Sequence, residues 1–588
     1  MDQRNLFLAI ALSLAILLGF QYFIAPPPEP IPATQTTSET PTPTPSGEAG
    51  DVPVVPGAPV TADTAATAAA NRDDLLGQAP RVRISSPTLS GSLSLVGGRL
   101  DDLTLTKYKE TLDPDSPRII LLSPAGGKDP YYADFGWTSG DKGLTLPGAE
   151  TLWQADREEL SPGQPVTLSW DNGAGLRFER VFEIDENYMF TQTQRVVNES
   201  GDPVDLATYG LISQTGTPPI LGFYILHEGL LGVFDETLKE VDYSDLQEDG
   251  VETQSSTGGW LGITAKYWLT ALVPDQTKAV ETRFVHSISG GQDKYQADYL
   301  YPTARVAPGE SMETVSRLYA GAKEVLLLDS YEETLGVPRF DLAVDFGWFY
   351  FLTKPIFYAL HWLGENTGNF GVAILLLTVA IKIIFFPLAN KSYRAMAKMR
   401  KLQPRMLELR ERFGDDKQRL NQEMMQLYKQ EGANPLSGCL PIVVQIPVFF
   451  ALYKVMFVTL EMRQAPFFGW IEDLSAQDPT SFINLFGLLP FAVPHLGPFE
   501  IINLGVWPIL MGLSMFLQQQ LNPQPPDPIQ AKIFLFMPII FTFLLAQFPA
   551  GLVIYWTWNN VLSILQQAVI MKRAGVPIGR GASTTGKT

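Results

Sequence analysis

The chain has 588 residues, 18% of them charged, with a net charge of −19 and one cysteine. That length allows several domains, the acidity argues against nucleic acid as a direct partner, and a lone Cys439 rules out an intrachain disulfide. The charge is uneven: residues 345–588 carry 20 basic and 14 acidic side chains, a net of +6, leaving −25 for the front.

Residues 6–24 form a first apolar span preceded by Asp2 and Arg4. Its length suits a membrane helix, and Ala25-Pro26-Pro27-Pro28 offers no small-x-small cleavage site, so an uncleaved signal anchor is expected over 1–25. Residues 26–79 are rich in Pro, Thr and Ala and cannot bury a core, which predicts a disordered tether.

From 80 to 340 the pattern has period two, as in Ser92-Leu93-Ser94-Leu95, Leu103-Thr104-Leu105-Thr106 and Phe182-Glu183-Ile184. Turn clusters such as Asp171-Asn172-Gly173 and Asn198-Glu199-Ser200-Gly201 punctuate it, so a large antiparallel β-sandwich is predicted. Residues 341–365 gather Phe346, Trp348, Phe349, Tyr350, Phe351, Phe357, Tyr358 and Trp362 around Lys354. This fits an amphipathic helix lying at a membrane surface, or an aromatic helix packed on the sandwich.

Within 366–388 the apolar run GVAILLLTVAIKIIFFPL carries one charge, Lys382, with Thr378 one turn earlier. At 1.5 Å per residue Lys382 lies roughly 9 Å from Leu388 and roughly 17 Å from Gly371. That depth is inside the hydrocarbon of a bilayer about 30 Å thick. Two readings fit: a functional ammonium in a wet cavity, or a side chain snorkelling to the headgroups.

Residues 389–433 carry eleven Lys/Arg against six Asp/Glu. Met399, Leu402, Met406, Leu409 and Phe413 recur at helical spacing, and Leu420, Met424 and Leu427 continue it after Gly414-Asp415-Asp416. A helical hairpin is predicted, its second helix capped by Asp415 or Asp416 and its first kinked or restarted at Pro404. Met399, Met406, Phe413 and Met424 are either a docking surface for apolar clients or partners, or the hairpin's own seam.

Further apolar spans are expected over 438–460, 500–520, 532–548 and 551–571, with a loop over 461–499 and a tail over 572–588. The predicted architecture is thus six transmembrane helices, five of them forming a core, with an all-β super-sandwich and a helical hairpin. Loop 461–499 and Glu500 are acidic except for Arg463, so the positive-inside rule puts both termini and the hairpin in the cytoplasm and the sandwich opposite. Gln445, Asn559, Asn560, Gln566 and Gln567 interrupt the spans; with Thr378 and Lys382 they could line one hydrophilic groove, or each could bond a neighbouring helix.

Enzyme and metal signals are absent. Residues 581–588 match the P-loop pattern in letters, but the mechanism needs a strand before and a helix after the loop. The four histidines have no metal-ligand spacing.

Met396-Ala397-Lys398-Met399-Arg400, Arg412-Phe413-Gly414-Asp415-Asp416-Lys417-Gln418-Arg419, Asn434-Pro435-Leu436, Gln464-Ala465-Pro466-Phe467 and Phe548-Pro549-Ala550-Gly551 closely resemble the YidC/Oxa/Alb family of membrane-protein insertases. Gly258-Gly259-Trp260-Leu261 to Tyr267-Trp268 resembles the long periplasmic domain of its Gram-negative members. The resemblance implies an inner-membrane insertase and chaperone, not an enzyme, with no cofactor or metal. Its groove would open to cytoplasm and lipid, with a basic residue, often Arg, at the position of Lys382. Thr378, Gln445 and Tyr555 match other groove or client-contact positions, and Asn559 and Asn560 would add to them. Implied partners are nascent membrane proteins, the Sec translocon (SecYEG, with SecDF), the ribosome and signal-recognition-particle pathway through the cytoplasmic loops, and lipid. Two alternatives remain beside it: a secondary transporter using Lys382, and an anchored periplasmic binding protein with sugars as its expected ligand class.

Overall fold

Alternation of side chains sets the sandwich. Strand Leu176–Ile184 buries every second residue, from Leu176 through Phe178, Arg180 and Phe182 to Ile184. It pairs with Met189–Asn198, which pairs in turn with Ser311–Ala322. The computed structural model describes residues 71–220, 226–414, 416–432, 440–489, 502–522, 528–573 and 575. The signal anchor expected over 1–25, most of the tether, Cys439 and most of the tail lie outside the described residues.

The described strands form an 11-stranded and a 9-stranded sheet. Their inner faces meet through Trp137 against Phe178 at 5.0 Å and Phe135 against Phe182 at 6.5 Å. Arg180, 2% exposed, joins the sheets: its guanidinium donates to the carbonyls of Gly97 (3.0 Å) and Gly98 (3.1 Å) and to Asp134 (3.3 Å). The expectation of purely antiparallel pairing needs correction. Arg81–Ser85 pairs in parallel with Glu159–Leu160, because a long irregular excursion after Thr138 frees the returning chain from hairpin geometry. Ordered structure also begins before the expected boundary at 79, since Asn71 caps a helical turn at Arg72–Leu76.

The helical region follows. We label α1 Val325–Leu335, α2 Tyr350–Thr367, α3 Phe370–Ile384, α4 Phe386–Phe413, α5 Lys417–Gln430, α6 Leu440–Val458, α7 Val506–Leu521, α8 Pro528–Leu545 and α9 Ala550–Arg573. Asn369 starts α3 by accepting from the Val372 amide at 3.0 Å. The expected single element over 366–388 is broken: α3 stops at Ile384 and α4 leaves at 68°. Pro387 is the cause, since it has no N–H to give the Ile383 carbonyl and its ring crowds that group, while it suits a first helical turn. No described helix alone is long and apolar enough to cross a membrane; the bent pair α3–α4 passes that test together.

Helix α4 runs through Pro404 without a break, held by the buried Leu402 and Met406 on one face. Met406 and Leu427 are buried in the α4–α5 seam, with Met399 and Met424 packed against them, so Met399, Met406 and Met424 fill the hairpin itself. Phe413 instead lies within cation–π reach of the guanidinium groups of Arg412 and Arg419. Asp416 caps α5 by accepting from Arg419 N at 3.0 Å.

The aromatic segment is a short 3-10 turn (Phe340–Ala343) and then α2, not one helix from 341. Trp348 (90% exposed), Phe351 and Trp362 stay uncovered, while Ile356, Phe357 and Leu360 are buried. Lys354 is clamped by Asp329 (2.8 Å) and Asp341 (2.6 Å). The sandwich is fixed to the end of α6 by Lys454–Asp345 at 2.7 Å, by Lys266 over the Phe457 ring, and by Arg463 donating to the carbonyls of Lys109 and Glu110.

At that junction Glu461 follows α6, largely buried, with His361 Nδ1 3.9 Å away. Burial pushes its carboxyl from an ordinary 4.5 up to about 7. The folded state therefore keeps a proton that the unfolded chain releases, and stability falls as pH rises from about 4.5 to about 7. Glu461→Gln should remove that dependence, worth up to about 3 kcal/mol, in thermal unfolding of the solubilised protein across this range. An unchanged slope in the variant would contradict the assignment.

Candidate functional site: an ammonium between two apolar helices

Lys382 occupies the last turn of α3, where the helix dipole favours a cation. Its side chain does not run outward. Nζ donates to Ser563 Oγ on α9 at 2.8 Å, and that hydroxyl donates to the Asn559 carbonyl at 2.7 Å. A snorkelling lysine would aim at water beyond the helix end, so this geometry favours the inward reading. Among the described residues Lys382 makes no ion pair.

A cavity of about 40 Å³ lies beside it, lined by Lys382, Tyr393 and Leu388 from the α3–α4 bend, by Gln445 and Val448 of α6, and by Gln566 of α9. A water needs roughly 10–15 Å³ of such volume and two to four polar partners, and both conditions are met here. Gln445 Nε2 donates to Asn559 Oδ1 at 2.7 Å, which ties α6 to α9 behind the cavity. The bend at Pro387 brings Tyr393 of α4 back over the lysine.

The expected residues divide. Lys382, Gln445 and Asn559 come together. Thr378 is buried and its hydroxyl donates to the Ile374 carbonyl at 2.6 Å, within its own helix. Asn560 faces the other side of α9 and donates to Ser514 Oγ of α7 at 3.0 Å. Tyr555, 2% exposed inside the helical core, has its hydroxyl against the Gln445 side chain. Of the expected residues only Lys382 and Gln445 line the cavity; Asn559 and Tyr555 stand behind Gln445, and Thr378 and Asn560 lie elsewhere. Ser563 and Tyr393 were not singled out from sequence. Ser563 could have been, because it lies one turn beyond Asn559 on the same stripe.

The family model for the YidC periplasmic domain matches residues 81–359, and that for the 60Kd inner membrane protein matches 362–576. Membrane protein insertase YidC of Methylobacterium nodulans is 52% identical, with 98% of this chain and 96% of its own length aligned. The protein of the same name from Granulibacter bethesdensis is 51% identical over 98% of this chain and 99% of its own length. A crystal structure of an active YidC insertase with its first transmembrane domain resolved aligns over 83% of this chain and 92% of that one. Its identity is 18% and its TM-score 0.35.

The ammonium makes opposite demands on two substitutions. Ser563→Val removes its acceptor and should lower stability by about 2 kcal/mol. Lys382→Met removes an unpaired charge and should be neutral or stabilising. Thermal unfolding in nanodiscs reads both, and a destabilised Lys382→Met would mean that the lysine is structural.

Proposed function

The chain belongs to the YidC family of membrane protein insertases, and from that premise we propose that the cavity at Lys382 is the polar end of a client groove. One observation carries the reading: an ammonium without a carboxylate partner among the described residues points inward, beside room for water. Retaining such a charge within an apolar helix costs a few kcal/mol, which stability alone does not repay.

In this account α3, α6, α7, α8 and α9, with the N-terminal anchor, are the six spans; the sandwich is periplasmic, and the hairpin α4–α5 and both termini are cytoplasmic. A client helix of about 20 residues gains roughly 6–12 kcal/mol on entering lipid. What resists transfer is moving its polar flank across hydrocarbon. Water and Lys382 shorten that crossing and attract an acidic flank, and the membrane potential adds about 2.3 kcal/mol per charge per 100 mV. Gln445 and Asn559 offer hydrogen bonds along the wall, and the client departs sideways along the apolar faces of α6 and α8. No nucleotide is required. The cationic hairpin is the surface that would meet the ribosome, the signal-recognition-particle pathway and the Sec translocon. The transporter and receptor readings have no support from the relatives' names.

Lys differs from Arg in lacking the bidentate fork, so a mechanism that uses only positive potential tolerates exchange. In reconstituted liposomes, Lys382→Arg should keep insertion of a small single-span client with an acidic tail, and Lys382→Glu should reduce it at least about tenfold, a loss of about 1.4 kcal/mol in the transition state. Equal insertion by the Lys and Glu forms would refute the electrostatic role.

A further inference from the structure

A second and larger cavity, about 370 Å³, lies where α4 passes the last turn of α9. Its rim is cationic: Arg394, Lys398 and Lys401 stand at i, i+4 and i+7 along one face of α4, and Arg573 faces them from α9. Among the described residues, Arg394, Lys398 and Arg573 make no ion pair or hydrogen bond. Like charges gathered around one hollow repel each other and lower the cost of bringing an anion in. Apart from these cations and Asn390, the lining is apolar. Phe386 (44% exposed) and Val569 (51% exposed) lie at the same cavity, and the exposed Ile383 and Ile384 continue the apolar surface along α3.

We propose that this cavity binds the phosphate headgroup of an anionic phospholipid, with Arg394, Lys398 and Arg573 around the phosphate and Phe386 and Val569 against the acyl chains. The shared chemistry is phosphate, but two features favour a lipid source. The cations stand at the point where the apolar α3 gives way to the charged α4, which is headgroup depth if α3 lies in the membrane as the functional reading requires. The apolar lining suits an amphiphile, and neither free phosphate nor a nucleic-acid backbone would use it. Basic pockets between helices on a cytoplasmic face are suited to such headgroups. A lipid held there would brace the bend at Pro387 and so fix the angle at which the hairpin leaves the membrane. The site is separate from the Lys382 cavity and shares none of its lining side chains.

The test uses the full chain, solubilised in a neutral detergent, and native mass spectrometry with added phosphatidylglycerol or phosphatidylcholine. The variant Arg394→Gln/Lys398→Gln/Arg573→Gln should bind phosphatidylglycerol at least about tenfold more weakly, even with Lys401 left in place. Phosphatidylcholine binding should not change. A charge-matched control, Arg412→Gln/Arg419→Gln/Lys429→Gln, should keep the binding of the unmodified protein. Lys382→Glu should also keep it, so that failure of the groove reading and failure of the lipid site are seen separately. Equal loss in the pocket variant and the control would overturn the proposal, as it would show diffuse attraction only. Displacement of the lipid by millimolar inorganic phosphate alone would assign the site to free phosphate, and displacement by a short RNA oligomer, lost in the pocket variant, would assign it to RNA. Either result contradicts a lipid site.

Discussion

A positive charge held on an apolar helix, with a hydroxyl as its hydrogen-bond partner, is the constraint around which the helical region is arranged. Lys382 cannot be satisfied by Ser563 alone, because an ammonium has three donors and the hydroxyl occupies one. The remaining demand explains the surroundings. Pro387 turns the chain so that Tyr393 returns to the lysine, and the Gln445–Asn559 bond holds α6 and α9 at a separation that leaves a cavity. Close apolar packing there would strand the charge. The polar side chains are therefore the structural cost of keeping a cation at this depth, and that cost makes sense only if the cation acts on something.

The sandwich contributes at the other end. It meets α6 through Lys454–Asp345, Lys266 over Phe457 and the Arg463 hydrogen bonds to the chain at Lys109 and Glu110. These charged contacts cluster at one end of α6, whereas Gln445, near its start, faces the cavity. One helix thus carries a firmly docked end and an end that lines the cavity. That division suits a groove that admits polar segments from one side only. Lys354 extends the docking by joining α1, the 3-10 turn and α2 through two carboxylates, leaving the aromatic face of α2 uncovered.

Much of this was legible in the residues, and the failures have physical causes. Alternation in Phe182-Glu183-Ile184 announces a half-buried strand, and the burial pattern follows it. Arg180 escaped notice, because a cation at an inward position reads as an error until Asp134 arrives from the other sheet. The apolar run through 371–388 hid the break before Pro387, since hydropathy carries no information on backbone direction. At Pro404 local chemistry called for a kink or a restart; the helix does not restart, and Leu402 and Met406 on either side are buried in the hairpin seam. Helical phase would have separated Asn559 from Asn560, which are about 100° apart on α9 and face different neighbours. Thr378 shares a face with Lys382 by spacing, yet its hydroxyl turns back on its own helix, a choice that no pattern reveals. Lys454 gives no local sign of its role, because its partner Asp345 lies over a hundred residues away in the chain.

The central claim is that water reaches position 382 from the cytoplasmic side. In a Cys439→Ser background, Lys382→Cys can be exposed to a charged, membrane-impermeant maleimide in inside-out inner-membrane vesicles. The account predicts labelling at a rate comparable with that of an exposed hairpin position such as Met425→Cys. If only a lipid-soluble maleimide reacted, the lysine would stand in hydrocarbon without water, and the groove would not exist.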